Sequence, residues 1–207
     1  MSKLVMIGAG GHCKSVLESA RSMRQFDEIV ITDKIIPAGS EIHGCKIVGN
    51  DEKLIELRQN GFDNAFVAVG FIESSELRDS LILLARKLGF VFPVIIDNSA
   101  IISPFVKIGE GSFIGKRAVL NSDTTVGNHC IINTGAIIEH DCCIGDNCHI
   151  SVGTVVCGGT NVGCNTFIGA GSTVIQGLTI GNNSVIGAGS LVLNSKNDNF
   201  KGYGIIS

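Results

Sequence analysis

From Ile102 to Val192 every sixth residue is Ile, Leu or Val, without a break. Four places after each of these the side chain is small, as at Ser112, Ala118, Thr124, Cys130 and Ala136, and the exceptions are Val106 and Leu178. Glycine follows the aliphatic residue directly in half of the repeats, as at Gly109, Gly127 and Gly145, which suits a tight corner where a side chain would clash. A period of six is neither the helical 3.6 nor a hairpin alternation. It predicts a short strand plus a corner, with the aliphatic residue pointing inward. Three such strands close a triangular coil, and the repeats stack into about five coils, roughly 25 Å tall at the usual strand spacing.

The first half of the chain has a different rhythm. Lys3 to Ile7 is an apolar run that enters Gly8-Ala9-Gly10-Gly11-His12, and Cys13 to Met23 has helical spacing, so strand, glycine turn and helix are expected. A second strand, Glu28 to Thr32, ends at Asp33. Asp51 to Asn60 reads as a helix stopped by Gly61, and Ala65 to Val69 as a buried strand ending at Gly70. Ser74 or Ser75 caps a helix through Leu88 with Leu77, Leu81, Leu84 and Leu88 on one face, and Phe90 to Ile96 reads as a last strand. Half of a doubly wound α/β fold is thus expected over residues 1–97, enough to hold one nucleotide, and the solenoid over 98–207.

Composition narrows the function. A net charge of -3, one Tyr and no Trp exclude the basic, aromatic-studded surface that nucleic acid needs. No charged-then-apolar leader and no membrane-length apolar run is present, so a cytoplasmic protein with no membrane partner is expected. Of the eight cysteines, Cys130, Cys142 and Cys148 occupy the small inward slot of the repeat. Cys13, Cys45, Cys143, Cys157 and Cys164 form no CxxC pair, so free thiols and no metal site are expected.

The glycine turn lacks a full GxGxxG, because the third fingerprint position is Cys13. Taken alone it is either a phosphate cradle or a tight connection that binds nothing. Asp33 is likewise either a ribose-binding acid or a solvated loop carboxylate.

The join is more specific. A small Rossmann-like domain opening with GAGGH and running directly into a six-residue repeat resembles the sialic acid O-acetyltransferase family of hexapeptide-repeat acyltransferases. That family includes the nucleotide-sugar N-acetyltransferases of the bacillosamine and perosamine pathways. The most specific piece is NTGAIIEHDCCIGDNCHISVGTVVCGG, from Asn133 to Gly159. The usual Gly-x-Pro-Ala-Lys ending is reduced here to Gly202-Tyr203-Gly204-Ile205-Ile206-Ser207. The resemblance implies a left-handed parallel β-helix, a homotrimer, acetyl-coenzyme A as cosubstrate and a UDP- or GDP-linked amino sugar as acceptor.

Acetyl transfer needs a base for the nucleophile's proton and a donor for the oxyanion. Of five histidines, His140 is followed by Asp141, which orients an imidazole and raises its basicity, and the resemblance places the base there. Read without it, His140 is an exposed corner residue. Gly158 lies eighteen residues on, stacked on the next coil, and offers room and a backbone N–H for a thioester carbonyl; the plain alternative is a corner glycine. The resemblance puts His149 against acetyl-coenzyme A in a neighbouring chain's site, and the expected coenzyme contacts are His149, Gly158 and Ala170. Expected acceptor contacts are Gly10, Gly11, His12, Asp33, Lys34 and Gly70. O-acetylation of a sialic acid or other sugar hydroxyl is the alternative chemistry. A trimeric carbonic anhydrase is disfavoured by the spacing of His129, His140 and His149, and a non-enzymatic scaffold would leave the nucleotide-type domain without a role.

Overall fold

The computed structural model describes residues 2–207 and divides into two compact units. The first comprises the chain up to Gly70 together with Ser74–Ile95. The second comprises Phe71–Glu73 and Ile96–Ser207.

In the first unit the order is β1 (Lys3–Ile7), α1 (Gly11–Ser22), β2 (Glu28–Thr32), β3 (Glu41–Ile42), β4 (Cys45–Gly49), α2 (Lys53–Gln59), β5 (Asn64–Val67) and α3 (Glu76–Lys87). The sheet runs β3-β4-β2-β1-β5, parallel except for β3 against β4. β1 is buried on both faces and reads as an unbroken apolar run for that reason. Chain order reverses between β1 and β5, so the loops after these strands flank a switch point.

Three expectations need correction. The hairpin β3–β4 was not anticipated, because its two-residue turn, His43-Gly44, carries positive φ at a histidine, where sequence offers Asn-Gly as the usual signal. The apolar face of α3 is not Leu77, Leu81, Leu84 and Leu88: Leu77 is 61% exposed, and the buried residues are Arg78, Leu81 and Ala85. The helix is rotated because the Arg78 guanidinium goes inward and donates to the carbonyls of Val67 and Val69 at 2.8 and 2.6 Å. Finally, Phe90–Ile96 is not one strand. Val91 bridges Asn64, while Ile95–Ile96 starts the solenoid's own sheet.

The second unit is a three-faced parallel coil. Its first face stacks Ile101–Ile102, Val119–Leu120, Ile137–Ile138, Val155–Val156, Thr173–Val174, Leu191–Val192 and Ile205–Ile206. The second stacks Lys107–Ile108, Thr125–Val126, Cys143–Ile144, Asn161–Val162 and Thr179–Ile180. The third runs from Ile95–Ile96 through Phe113–Ile114, Ile131–Ile132, His149–Ile150, Phe167–Ile168 and Val185–Ile186 to Lys201–Gly202. Inward aliphatics such as Ile132, Ile138, Ile150 and Val156 are wholly buried and form one continuous core. Each contributes about 1.5–3 kcal/mol relative to exposure.

The small inward slot has a second requirement besides size. Ser112, Thr124, Thr154 and Thr166 each donate a hydroxyl to the carbonyl fifteen residues on, at 2.7–3.0 Å. Cys130 and Cys148 do the same through sulfur at 3.0 Å. These thiols are therefore core donors. Hydrogen bonding to Cys130, with burial, holds the Cys148 thiol well above its usual pKa.

Corners also follow a rule. Every sixth residue from Gly111 to Gly189 has φ between 54° and 71°, glycine or not. From His129 onward each of these residues donates its N–H to a carbonyl of the preceding coil, at 2.7–3.0 Å. The glycines that directly follow the inward aliphatic serve another purpose. A Cβ on Gly109, Gly127 or Gly145 would lie 2.6–2.7 Å from a backbone nitrogen of the next coil. All five such positions on the corner between the second and third faces are glycine: Gly109, Gly127, Gly145, Gly163 and Gly181. The corner between the first and second faces has none; there the same positions hold Ser103, Asn121, Glu139, Cys157 and Ile175.

Gly145→Ala is expected to force the coils apart at that corner and cost about 1–3 kcal/mol, lowering the thermal midpoint by about 2 to 10 °C. Ser151→Ala, at the equivalent slot of another corner, should leave it within a degree or so, as calorimetry of the two variants would show.

Candidate active site

His140 and Asp141 sit on the corner between the first and second faces, where no glycine follows the inward aliphatic. Asp141 takes the positive-φ position, with φ 58°, which bends its carboxylate back toward its own neighbour. The His140 Nδ1–H donates to Asp141 Oδ2 at 2.8 Å. Because a carboxylate only accepts, the proton is fixed on Nδ1 and Nε2 keeps its lone pair. That hydrogen bond raises the imidazole pKa, desolvation opposes it, and the charges of Asp141 and Glu139 add to the rise.

The ring lies over Gly158. A Cβ there would fall 2.6–2.7 Å from Cε1 and Nε2 of His140, so glycine is required by close approach. The neighbouring amides are used: Cys157 N–H donates to Val174 O at 3.0 Å and Gly159 N–H to His140 O at 2.8 Å. Gly158 N–H meets no acceptor among the described residues. The contrast with the glycine corner is direct. There, the corresponding N–H groups of Glu110, Asn128, Cys164 and Asn182 are each capped by an Asn or Asp carboxylate or amide oxygen one coil on, at 2.7–3.1 Å. On the His140 corner that ladder is missing.

Around the pair opens a groove of about 540 Å³ that also takes in Glu139, Cys157 and Gln176. Sequence reasoning passed over these three. For Glu139 and Cys157 the signal was the slot after the inward aliphatic, filled by a side chain in every third repeat where the next corner always has glycine; Gln176 lies one place further along, at the position of His140 two coils on.

His149 and Ala170 lie elsewhere: His149 on the third face and Ala170 on the corner between the third and first faces. Within one chain they do not join the His140 groove. His149 is held firmly, its Nδ1–H donating to Phe71 O at 2.8 Å and its Nε2 facing Asn133 Nδ2 at 3.4 Å, with Phe71 and Phe167 edge-on. Beside it, Ile72, Phe167, Val185, Ala188, Lys201 and Tyr203 line a more apolar cleft of about 490 Å³.

In the first unit, Gly10 and Gly11 open α1 with free space around them and share a groove of about 390 Å³ with Lys14 and His43. Asp33 and Lys34 line a second groove of about 340 Å³. His12 and Gly70 line neither, although the Gly70 loop follows β5 at the same sheet edge. Asp33 is more than a solvated loop carboxylate. Its carboxylate accepts from Ala9, Ile35 and Ile36 N–H at 2.7–2.8 Å and so ties the glycine turn to the loop after β2. Partial burial pushes its pKa up, but these three donors outweigh it and hold the pKa below the usual value. The stability this contributes is present above the unfolded carboxylate pKa and lost as the pH falls through the folded one. No His, Cys, Asp and Glu cluster suited to a metal ion occurs among the described residues, and no helix among them is long and apolar enough to cross a membrane.

Residues 3–81 match the PglD N-terminal domain, 105–140 the hexapeptide repeat of succinyl-transferase and 159–194 the bacterial transferase hexapeptide. A comparison with curated proteins finds no match. Among solved structures, a histidine-to-alanine variant of GDP-perosamine N-acetyltransferase from Caulobacter crescentus, in complex with CoA and GDP-perosamine, is 36% identical over 99% of this chain and 94% of its own, with a TM-score of 0.92. The acetyltransferase domain of PglB from Neisseria gonorrhoeae FA1090, in complex with acetyl coenzyme A, is 33% identical over 98% and 96%, with a TM-score of 0.91. WeeI from Acinetobacter baumannii AYE, at 23% identity and a TM-score of 0.85, shares the fold. The fold is an α/β domain followed by a left-handed parallel β-helix, and the protein is an acetyltransferase. The chain belongs to the hexapeptide-repeat nucleotide-sugar N-acetyltransferases that open with a PglD N-terminal domain.

Asp141→Asn is expected to lower the His140 pKa, since the carboxylate is the main cause of its rise. NMR titration of the ring should move to lower pH, and the acid limb of the rate profile should move the same way, because the base works only when neutral.

Proposed function

We propose that the chain transfers acetyl from acetyl-coenzyme A to the amino group of a nucleotide-linked amino sugar, with His140 as base, Asp141 as its orienting carboxylate and the Gly158 N–H as oxyanion donor. The observation that carries this reading is the His140–Asp141 pair lying over a glycine whose N–H is open, in a groove at the one corner without a glycine ladder. Structures of relatives at 33–36% identity with CoA or acetyl coenzyme A bound support the donor, and GDP-perosamine in two of them supports the acceptor class.

His140 Nε2 takes a proton from the acceptor nitrogen as that nitrogen bonds to the thioester carbonyl carbon. Gly158 N–H steadies the charge that grows on the carbonyl oxygen. The carbon–sulfur bond then breaks and the sulfur leaves with a proton, which the imidazolium supplies. We place the nucleotide of the acceptor at Gly10, Gly11, His12, Asp33, Lys34 and Gly70 of the first unit, Asp33 acting also as the brace of that loop.

The assembly we propose is a homotrimer in the cytoplasm. Outward residues of the first face, Ile101, Val119, Ile137, Val155, Thr173, Leu191 and Ile205, make an almost wholly apolar stripe, whereas the second face presents Lys107, Thr125, Cys143, Asn161 and Thr179. In such a trimer His149, Ala170 and the apolar cleft around Phe167 belong to the coenzyme of a neighbouring chain's site. Sedimentation should give a trimer, and Val155→Arg should yield monomers with little activity; an active wild-type monomer contradicts the shared site.

The function itself is tested by following thiol release from acetyl-coenzyme A against UDP-, GDP- and dTDP-linked amino sugars. His140→Ala is expected to lower kcat by about 10²–10⁴ while remaining folded. A variant with near wild-type kcat would place the base elsewhere.

A further inference from the structure

The groove around His140 carries a charge that the mechanism above leaves unused. Glu139 and Asp141 both line it, and neither lysine nor arginine does. Asp141 already receives the Nδ1–H of His140. Glu139, in contrast, is half-buried and its carboxylate makes no hydrogen bond or ion pair with a described residue. Its backbone is locked on both sides: its N–H donates to Val156 O at 2.9 Å, and its carbonyl accepts from Thr124 Oγ1 at 2.7 Å. A side chain at this position exists only because this corner lacks the glycine that its neighbour requires at every coil. Cys157, one coil along in the same slot, brings no positive charge.

We infer that Glu139 is the specificity residue for an amine: its carboxylate docks the acceptor's ammonium beside His140. This rests on the acetyl-transfer reading above and deepens it. A carboxylate with no lysine or arginine beside it, in a groove that holds a second carboxylate, favours a cationic guest, whereas a hydroxyl brings no charge to it. A primary amine on a sugar arrives largely as ammonium near neutral pH. Docked against Glu139, it lies at the residue next to the base, so the pair divides the work. Glu139 binds the charged form, and His140 takes the proton that leaves as the new bond forms. Of the two protons that separate an ammonium from an amide nitrogen, one passes to water before attack. The other goes to His140 and ends on the departing sulfur. Glu139 also adds to the raised pKa of His140, after the hydrogen bond and charge of Asp141.

The test separates binding from chemistry. In a His140→Ala background without acetyl-coenzyme A, calorimetry compares GDP-perosamine with the GDP-6-deoxyhexose that carries a hydroxyl in place of its amine, or the corresponding UDP-linked pair if the substrate screen selects UDP. The amine is expected to bind tenfold to hundredfold more tightly, the scale of one hydrogen bond between charged groups. Adding Glu139→Gln should bring the two ligands within about threefold by weakening the amine alone. In the otherwise wild-type enzyme, Glu139→Gln should raise KM for the amine by the same factor and leave KM for acetyl-coenzyme A unmoved. Glu139→Asp, which keeps the charge, should retain part of the preference and serves if the Gln variant fails to fold. Survival of the full amine preference in the double variant overturns the assignment while leaving the acetyl-transfer reading intact. A wild-type enzyme that acetylates the hydroxyl sugar and not the amine fails that reading, and this assignment with it.

Discussion

The distance between successive coils governs this molecule. Parallel strands one above another lie about 4.8 Å apart, and where the chain turns that spacing leaves no room for a Cβ unless the corner opens. At the corner between the second and third faces it does not open, so five successive coils carry glycine and Asn and Asp side chains cap the following N–H groups of Glu110, Asn128, Cys164 and Asn182, Asp146 being the exception. At the corner between the first and second faces the chain accepts side chains, and the candidate groups Glu139, His140, Asp141 and Gly158 gather there. The candidate site thus lies where the packing constraint is relaxed.

Relaxation exposes two kinds of group together. Side chains at the slot after the inward aliphatic, such as Glu139, gain a place to project. Backbone amides at the following position lose the oxygen ladder that would otherwise cap them, which leaves Gly158 N–H open directly under the imidazole. Asp141 depends on the same geometry in another way, since the positive φ demanded at every corner turns its carboxylate back to His140. Fold and site share one cause.

The solenoid was legible because its core selects one residue type at one period. Gly158 could be set against His140 because eighteen-residue stacking follows from that period, whereas His140 and Asp141 were singled out by the family resemblance and by the acid beside the histidine. Other features were hidden for physical reasons. Nothing in the α3 pattern tells that Arg78 would turn inward, since only the carbonyls of Val67 and Val69, brought near by the fold, make that burial tolerable. Asp33 looked like a ligand acid at the end of β2, and its three backbone donors come from a loop and a turn whose approach no local pattern encodes. The thiols of Cys130 and Cys148 were read as small fillers, and their role as donors became apparent only with the carbonyls of Gly145 and Gly163 in place.

The most direct test of this account is a crystal structure of the His140→Ala enzyme with coenzyme A and the accepted amino-sugar nucleotide. It should place the acceptor nitrogen about 3 Å from where Nε2 of His140 would lie, with the reactive end of the coenzyme directed at Gly158 N–H. Finding both ligands along the glycine-lined corner instead, with the His140 groove vacant, would contradict it.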